Sequence, residues 1–212
     1  MQEKIGKVTL DYEFYPGEDL YSDGPVEEEL LEIARSYGEE ELNRVIAEKN
    51  SWPVLYHFSH IRQNILEWLP IRKTDKVLEI GSGCGPITGA LAKKAGSVTC
   101  VELSRQRSLV NAYRNEDCDN VTILLGAFEE VEKTLAEKYA HPNDYITLIG
   151  VFEYSEGYIG THQPYVEMLR RISRHLEKDG KLVIAIENRL GLKYWAGCTE
   201  DHVGKYFEGI EN

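Results

Sequence analysis

Val77-Leu78-Glu79-Ile80-Gly81-Ser82-Gly83-Cys84-Gly85 runs from an apolar strand into three alternating glycines, and a helical pattern follows. Where a ligand lies against backbone, a Cβ would block its approach, and several loop residues need dihedrals that only glycine reaches easily. The helix beyond such a loop offers free N–H groups to an anion or a carboxylate. Two cofactor classes use loops of this kind. The dinucleotide fingerprint G-x-G-x-x-G needs a third glycine, but counting from Gly81 puts Pro86 there and counting from Gly83 puts Thr88. The spacing therefore fails for a nicotinamide dinucleotide in both registers.

Working outward, strands alternate with helices from residue 75 onward, as in a parallel sheet with crossover helices. Strands are expected at 76–80, 97–101, 121–125, 145–150 and 181–187, with Asp179-Gly180 as the turn before the last. Helical stretches fall at about 86–95, 104–115, 128–139 and 163–177, long enough for right-handed crossovers. Toward the N-terminus, residues 8–14 alternate like a short strand, and helices are expected from Pro25 to Tyr37 and from Glu39 to Lys49. Ser51 is placed to cap a third helix, whose apolar stripe Leu55, Phe58, Ile61, Ile65, Leu66 and Leu69 ends at Pro70. Residues 1–70 thus read as a mainly helical cap, and residues 71–212 as an α/β cofactor-binding domain with a mostly parallel sheet and helices on both faces.

The acid and glycines Glu79-x-Gly81-x-Gly83-x-Gly85 resemble the first motif of class I S-adenosylmethionine-dependent methyltransferases, whose fold is Rossmann-like; the resemblance extends over roughly residues 71–190. About twenty residues past the loop, strand Val98-Thr99-Cys100-Val101 ends at Glu102, where a carboxylate can accept both ribose hydroxyls of a nucleoside. The resemblance implies S-adenosyl-L-methionine as cofactor, with contacts from Glu79, Gly81, Ser82, Gly83, Gly85, Glu102, Leu103, Ala127, Phe128 and Val151. One position departs from the pattern. Where the family has Asp or Asn for the adenine amino group, the chain reads Gly126-Ala127-Phe128-Glu129. Ala127 cannot make that bond, which leaves the Phe128 N–H and the Glu129 carboxylate for the adenine.

Methyl transfer is an in-line displacement at an activated carbon, so the protein mainly aligns donor and acceptor and excludes water. A hydroxyl or amine acceptor also calls for a nearby base. Ligands in such sheets sit beyond the carboxyl ends of the strands. Glu153, Tyr154 and His162 are the catalytic candidates on that ground, with His202 further on. Tyr56, His57, His60 and Arg62 precede the glycine loop, where the resemblance implies a segment folded over the cofactor, and the tyrosine or arginine there is a candidate for holding its methionine carboxylate. The stretch from Glu187 to Gly197 is similar to methyltransferase domains that occur beside glycosyltransferases in bacterial surface-polysaccharide systems. That likeness implies a sugar-linked acceptor, and the expected acceptor is a hydroxyl or amine of a small molecule or carbohydrate. A non-catalytic nucleoside-binding or interaction module on a degenerate fold is the alternative.

The composition narrows the setting. With 42% apolar and 10% aromatic residues, the 212-residue chain can fill one core. No apolar run is long enough for a bilayer, and the first residues lack the apolar stretch of a secretory signal. Cys84, Cys100, Cys118 and Cys198 are irregularly spaced without a C-x-x-C pair, so reduced thiols in the cytoplasm are expected, with no metal site and no membrane partner. The net charge of −12 argues against nucleic acid as a partner. It is uneven, since residues 1–50 hold fourteen acids against five bases. Only 25 residues follow Glu187 and they carry no pair of strand patterns. The family resemblance implies two more strands after the fifth, so a fragment or a reduced variant with an uncovered sheet edge is expected, which favours a homodimer.

Overall fold

The computed structural model describes residues 1–19, 21–138, 142–186, 188, 190–199 and 204–206. Among the described residues seven strands form one sheet: β1 (Gln2–Ile5), β2 (Val8–Asp11), β3 (Lys76–Ile80), β4 (Ser97–Glu102), β5 (Val121–Leu125), β6 (Asn143–Ile149) and β7 (Leu176–Ala185). Their order is β1-β2-β5-β4-β3-β6-β7. From β2 to β7 every neighbouring pair is parallel, and β1 alone runs antiparallel to β2. The order reverses between β3 and β6, which both leave the sheet at the same edge; such a switch point opens a crevice for a ligand.

The central strands are apolar on both sides because helices cover both faces. Ile123 and Leu124, neighbours in β5, belong to two different buried clusters, as do Val77 and Leu78 in β3. The covering helices are α1 (Val26–Ser36), α2 (Leu42–Lys49), α3 (Trp52–Phe58), α4 (Asn64–Glu67), α5 (Thr88–Lys94), α6 (Arg105–Arg114), α7 (Phe128–Lys138), α8 (Ser155–Tyr158), α9 (Pro164–Ser173) and α10 (Leu192–Trp195).

The first seventy residues do more than cap the sheet. The β1–β2 hairpin extends it, with Thr9 beside Thr122 and Leu10 beside Ile123, and so covers the β5 edge. The helices α1 to α4 are then latched to the α/β body by polar groups. Asp19 accepts hydrogen bonds from the backbone N–H of Arg105 (2.6 Å) and Gln106 (3.2 Å), capping the positive end of α6. The Arg114 guanidinium, only 2% exposed, pairs with Glu39 at 3.1 Å and donates to the His57 carbonyl at 2.6 Å. Lys94 donates to the carbonyls of Leu66, Glu67 and Leu69, closing the C-terminus of α4.

Two local expectations change. The third helix breaks at Ser59, whose hydroxyl accepts from the Ile61 N–H and starts a 3-10 turn over His60–Gln63. Ser51 makes no side-chain cap, and of the apolar stripe Phe58, Leu66 and Leu69 are buried while Leu55 and Ile61 are exposed. Asp179-Gly180 is a bulge and not a turn: β7 is continuous, but Asn143 faces Leu176 while Tyr145 faces Lys181, so residues 177–180 loop out of register. Among the described residues no helix is long and apolar enough to cross a membrane. Glu187, Arg189 and His202, and most of residues 201–210, lie outside the described residues.

Candidate cofactor and acceptor site

The glycine loop leaves β3 and turns back under the end of β4. The Gly81 N–H donates to the Val101 carbonyl at 2.8 Å, and the Gly83 N–H donates to Glu102 Oε2 at 2.7 Å. Glu102 also accepts the Ser104 N–H on Oε1 at 3.0 Å. The acid expected to face a ribose therefore also fastens the loop that would carry the rest of the nucleoside. Each of its oxygens has a second lone pair for a ligand hydroxyl. Burial pushes the Glu102 carboxyl up, while the Ser104 and Gly83 N–H groups pull it back down.

Glu79 sits behind the loop, accepting the Thr88 hydroxyl at 2.7 Å and facing the Cys100 thiol at 3.4 Å. Burial pushes its carboxyl up to about 7, against the pull of the Thr88 and Cys100 hydrogen bonds. The folded protein therefore holds a proton there more tightly than the unfolded chain does. The stability this group contributes is fully present below about pH 4.5 and is lost as pH rises through about 7. Glu79→Gln should consequently gain stability relative to the native chain between pH 5 and pH 8, by about 2–3 kcal/mol at about 1.4 kcal/mol per unit. Urea unfolding across that range measures the difference; a constant difference would contradict the assignment.

These residues open onto a cavity of about 780 Å³. Its floor is the loop with Glu79, Gly81, Ser82 and Gly83, and one wall holds Glu102, Leu103, Ala127, Phe128 and Glu129. Val151, Glu153 and Tyr154 line it as well, with Val151 packed against Gly81. The cavity thus gathers the candidates from the sequence except Gly85, His60 and His162, with His202 outside the described residues. Gly85 instead meets α6: a Cβ there would lie 2.2 Å from Asn111 Oδ1, so its glycine serves packing. His162 is exposed and does not line the cavity. Of the residues ahead of the loop, Tyr56, His57 and Arg62 line it and His60 does not.

Sequence reading missed Tyr21, Asp23, Trp52 and Arg107, which complete the roof. Nothing local to them signals this, because the latch that brings them in is long-range. Arg107 Nε pairs with Glu27 at 2.8 Å, and its NH2 group pairs with Asp23. Glu27 is buried and also accepts from Ser22 Oγ at 2.8 Å and the Asp23 N–H at 3.1 Å. Burial, reinforced by Arg107 and Arg62, pushes His57 down to about 4, so its ring is neutral at physiological pH. Tyr154 is pushed up to about 12, by burial and then by Tyr21 and Glu153, which makes its phenol a donor and not a base.

Ser82 Oγ, Thr147 Oγ1 and Glu153 Oε2 are buried with no hydrogen-bond partner among the described residues, and all three line this cavity. Buried polar atoms in native proteins are nearly always paired, so three orphans at one site point to a ligand. The orphaned Ser82 hydroxyl on the glycine loop and the Glu102 carboxylate fit S-adenosylmethionine.

A model of ribosomal RNA adenine dimethylases matches residues 58–158, just under half of the chain. A probable ribosomal RNA small subunit methyltransferase A of Methanothermobacter thermautotrophicus is 40% identical over 65 residues, which are 31% of this chain and 23% of that protein. Ribosomal RNA small subunit methyltransferase A of Borreliella burgdorferi is 31% identical over 107 residues, 50% of this chain and 36% of that protein. The matched stretches thus cover about a quarter to a third of those relatives' length. A Haemonchus contortus phosphoethanolamine N-methyltransferase, solved with phosphoethanolamine and S-adenosylhomocysteine, superimposes with a TM-score of 0.52 at 19% identity, covering 81% of this chain and 36% of that one. The ribosomal RNA relatives overturn the exclusion of nucleic acid and the expectation of a small-molecule or carbohydrate acceptor. Net charge misled because it is a whole-chain sum, whereas the acids crowd into residues 1–50 and recognition is local. The glycine loop, the strand order and these likenesses together give the chain the fold of the class I S-adenosylmethionine-dependent methyltransferases.

Proposed function

We propose that this chain transfers the methyl group of S-adenosylmethionine to a base of RNA in the cytoplasm. The observation that carries the cofactor half is the meeting of Glu102, the glycine loop and the orphaned Ser82 hydroxyl in one cavity. Bound there, S-adenosylmethionine would supply a sulfonium-activated methyl carbon. Glu102 and the loop would hold the nucleoside, and the roof of Tyr21, Trp52 and Tyr56 would exclude water from the reacting atoms.

The acceptor half rests on the RNA-modifying relatives, and the roof is suited to it. Trp52 is 69% exposed and Tyr56 43%, with ring centroids 6.0 Å apart at the cavity, and the Arg62 guanidinium lies over the Tyr56 ring at 4.2 Å. Exposed aromatic faces beside a cation stack bases that have left a duplex. An unpaired or flipped base can enter a pocket in this way while its backbone stays outside.

Incubation with methyl-labelled S-adenosylmethionine and small-subunit ribosomal RNA lacking modifications tests the reading. Label should appear in a methylated nucleoside after nuclease digestion. Labelling no greater than that with heat-inactivated protein would contradict it.

A further inference from the structure

We propose that Glu153 receives the amino group of the acceptor base and takes the proton that methylation displaces. This assignment rests on the reading of the site as an RNA-base methyltransferase.

The turn carrying Glu153 is built to present it. β6 runs parallel to β3, with Leu148 beside Ile80, so the two strands end together at the switch point. Gly150 then reverses the chain at φ +69, and Val151 packs so closely on Gly81 that a Cβ there would lie 2.2 Å from Val151 Cγ1. Residues Phe152–Tyr154 form a single 3-10 turn, closed by the Tyr154 N–H on the Val151 carbonyl (3.1 Å) and the Ser155 hydroxyl on the Phe152 carbonyl (2.7 Å). The Phe152 ring packs on Tyr165 of α9 at 5.4 Å. Glu153 is thus held on a fixed turn whose base touches the cofactor loop.

Its Oε2 is buried, lines the cavity and has no hydrogen-bond partner among the described residues. Ser82 and Thr147, the other two orphans, carry hydroxyls that can donate or accept, but an ionised carboxylate only accepts. What completes Glu153 must therefore be an N–H or O–H donor, and an anionic group is repelled from this wall. An exocyclic amine has two such hydrogens. Accepting one of them orients the nitrogen lone pair toward the methyl carbon. That lone pair forms the new N–C bond as the C–S electron pair withdraws to the sulfonium sulfur, leaving a neutral thioether. The surplus proton on nitrogen passes to Glu153 Oε2 and from there to water. Tyr154, whose phenol stays protonated to about 12, cannot take this part.

The rival donor is the cofactor's own ammonium group, and one set of titrations separates the two. The protein, loaded with S-adenosylhomocysteine, is titrated calorimetrically with adenosine and with inosine, which has a carbonyl in place of the amine. The native chain should bind adenosine at least tenfold more tightly. Glu153→Ala should lose that preference, and Glu153→Ala and Glu153→Gln should both bind S-adenosylhomocysteine within twofold of the native chain. Glu153→Gln, which keeps an accepting oxygen but cannot take the proton, should lower kcat for RNA methylation by about a hundredfold. No preference in the native chain, no nucleoside binding at all, or a preference that survives in Glu153→Ala would overturn the assignment. A tenfold loss of S-adenosylhomocysteine affinity in both variants would overturn it too, by placing the carboxylate on the cofactor. If RNA goes unlabelled while the Glu153-dependent preference persists, the RNA reading fails and the amine site stands.

Discussion

Gly81→Ala should lose at least a hundredfold in affinity for S-adenosylmethionine, a change of about 2.7 kcal/mol. Two separate costs fall on that residue. Its φ of +72 lies in the left-handed region, where an alanine is strained by about 1–2 kcal/mol. Its new Cβ would also lie 2.2 Å from Val151 Cγ1, on a turn pinned to α9, so the loop must move away from its hydrogen bond to Val101. Gly17→Ala is the control for a positive-φ substitution away from the cavity, since φ there is +100 with nothing within 4 Å of the added Cβ. Calorimetric titration of both variants should show the loss in Gly81→Ala and native affinity in Gly17→Ala. Equal affinities in the two would mean that close packing of loop and turn does not matter to the site.

The second large effect concerns the roof. Arg107→Met should destabilise the chain by about 3–5 kcal/mol, because removing one partner of a buried pair strands the other charge. Glu27 is only 2% exposed and would keep two polar neighbours, Ser22 and Asp23, but lose its counter-ion. Glu27→Gln in the same chain should recover a large part of the loss, since it removes the stranded charge. Urea unfolding of the two single variants and the double variant gives the coupling directly. A loss below about 1 kcal/mol in Arg107→Met would place this pair with exposed ion pairs, which contribute little.

The parts of the fold carried by local pattern were legible in the sequence. β3 and β5 span the expected 76–80 and 121–125, because apolar runs bounded by turn residues identify strands buried on both faces. The glycine loop was readable for a different reason, since positive φ at Gly81, Gly83 and Gly85 and the close approach of Val151 to Gly81 restrict residue type at fixed spacing. What was not legible is long-range. The β1–β2 hairpin pairs with a strand more than a hundred residues away, Thr9 with Thr122, and nothing in residues 2–11 names that partner. The same holds for Tyr21, Asp23 and Trp52, which line the cavity in a segment tied to α6 by the Asp19–Arg105 and Glu27–Arg107 contacts. The packing of Gly85 on Asn111 of α6 is long-range too, and the family motif that groups Gly85 with the cofactor glycines does not show it. Net charge spoke against nucleic acid although it carries no information about where the acids lie, and the carbohydrate acceptor rested on a likeness of the Glu187–Gly197 stretch alone; the ribosomal RNA relatives speak against both.

The proposed activity requires one cavity to bind one cofactor through Glu102. Calorimetric titration of the native chain and of Glu102→Ala with S-adenosylmethionine tests this most directly. Binding by the native chain, weakened at least tenfold by the substitution (about 1.4 kcal/mol), is the predicted result, because the carboxylate both holds the Gly83 N–H and faces the cavity. No binding by the native chain, or equal binding by the two, would contradict it.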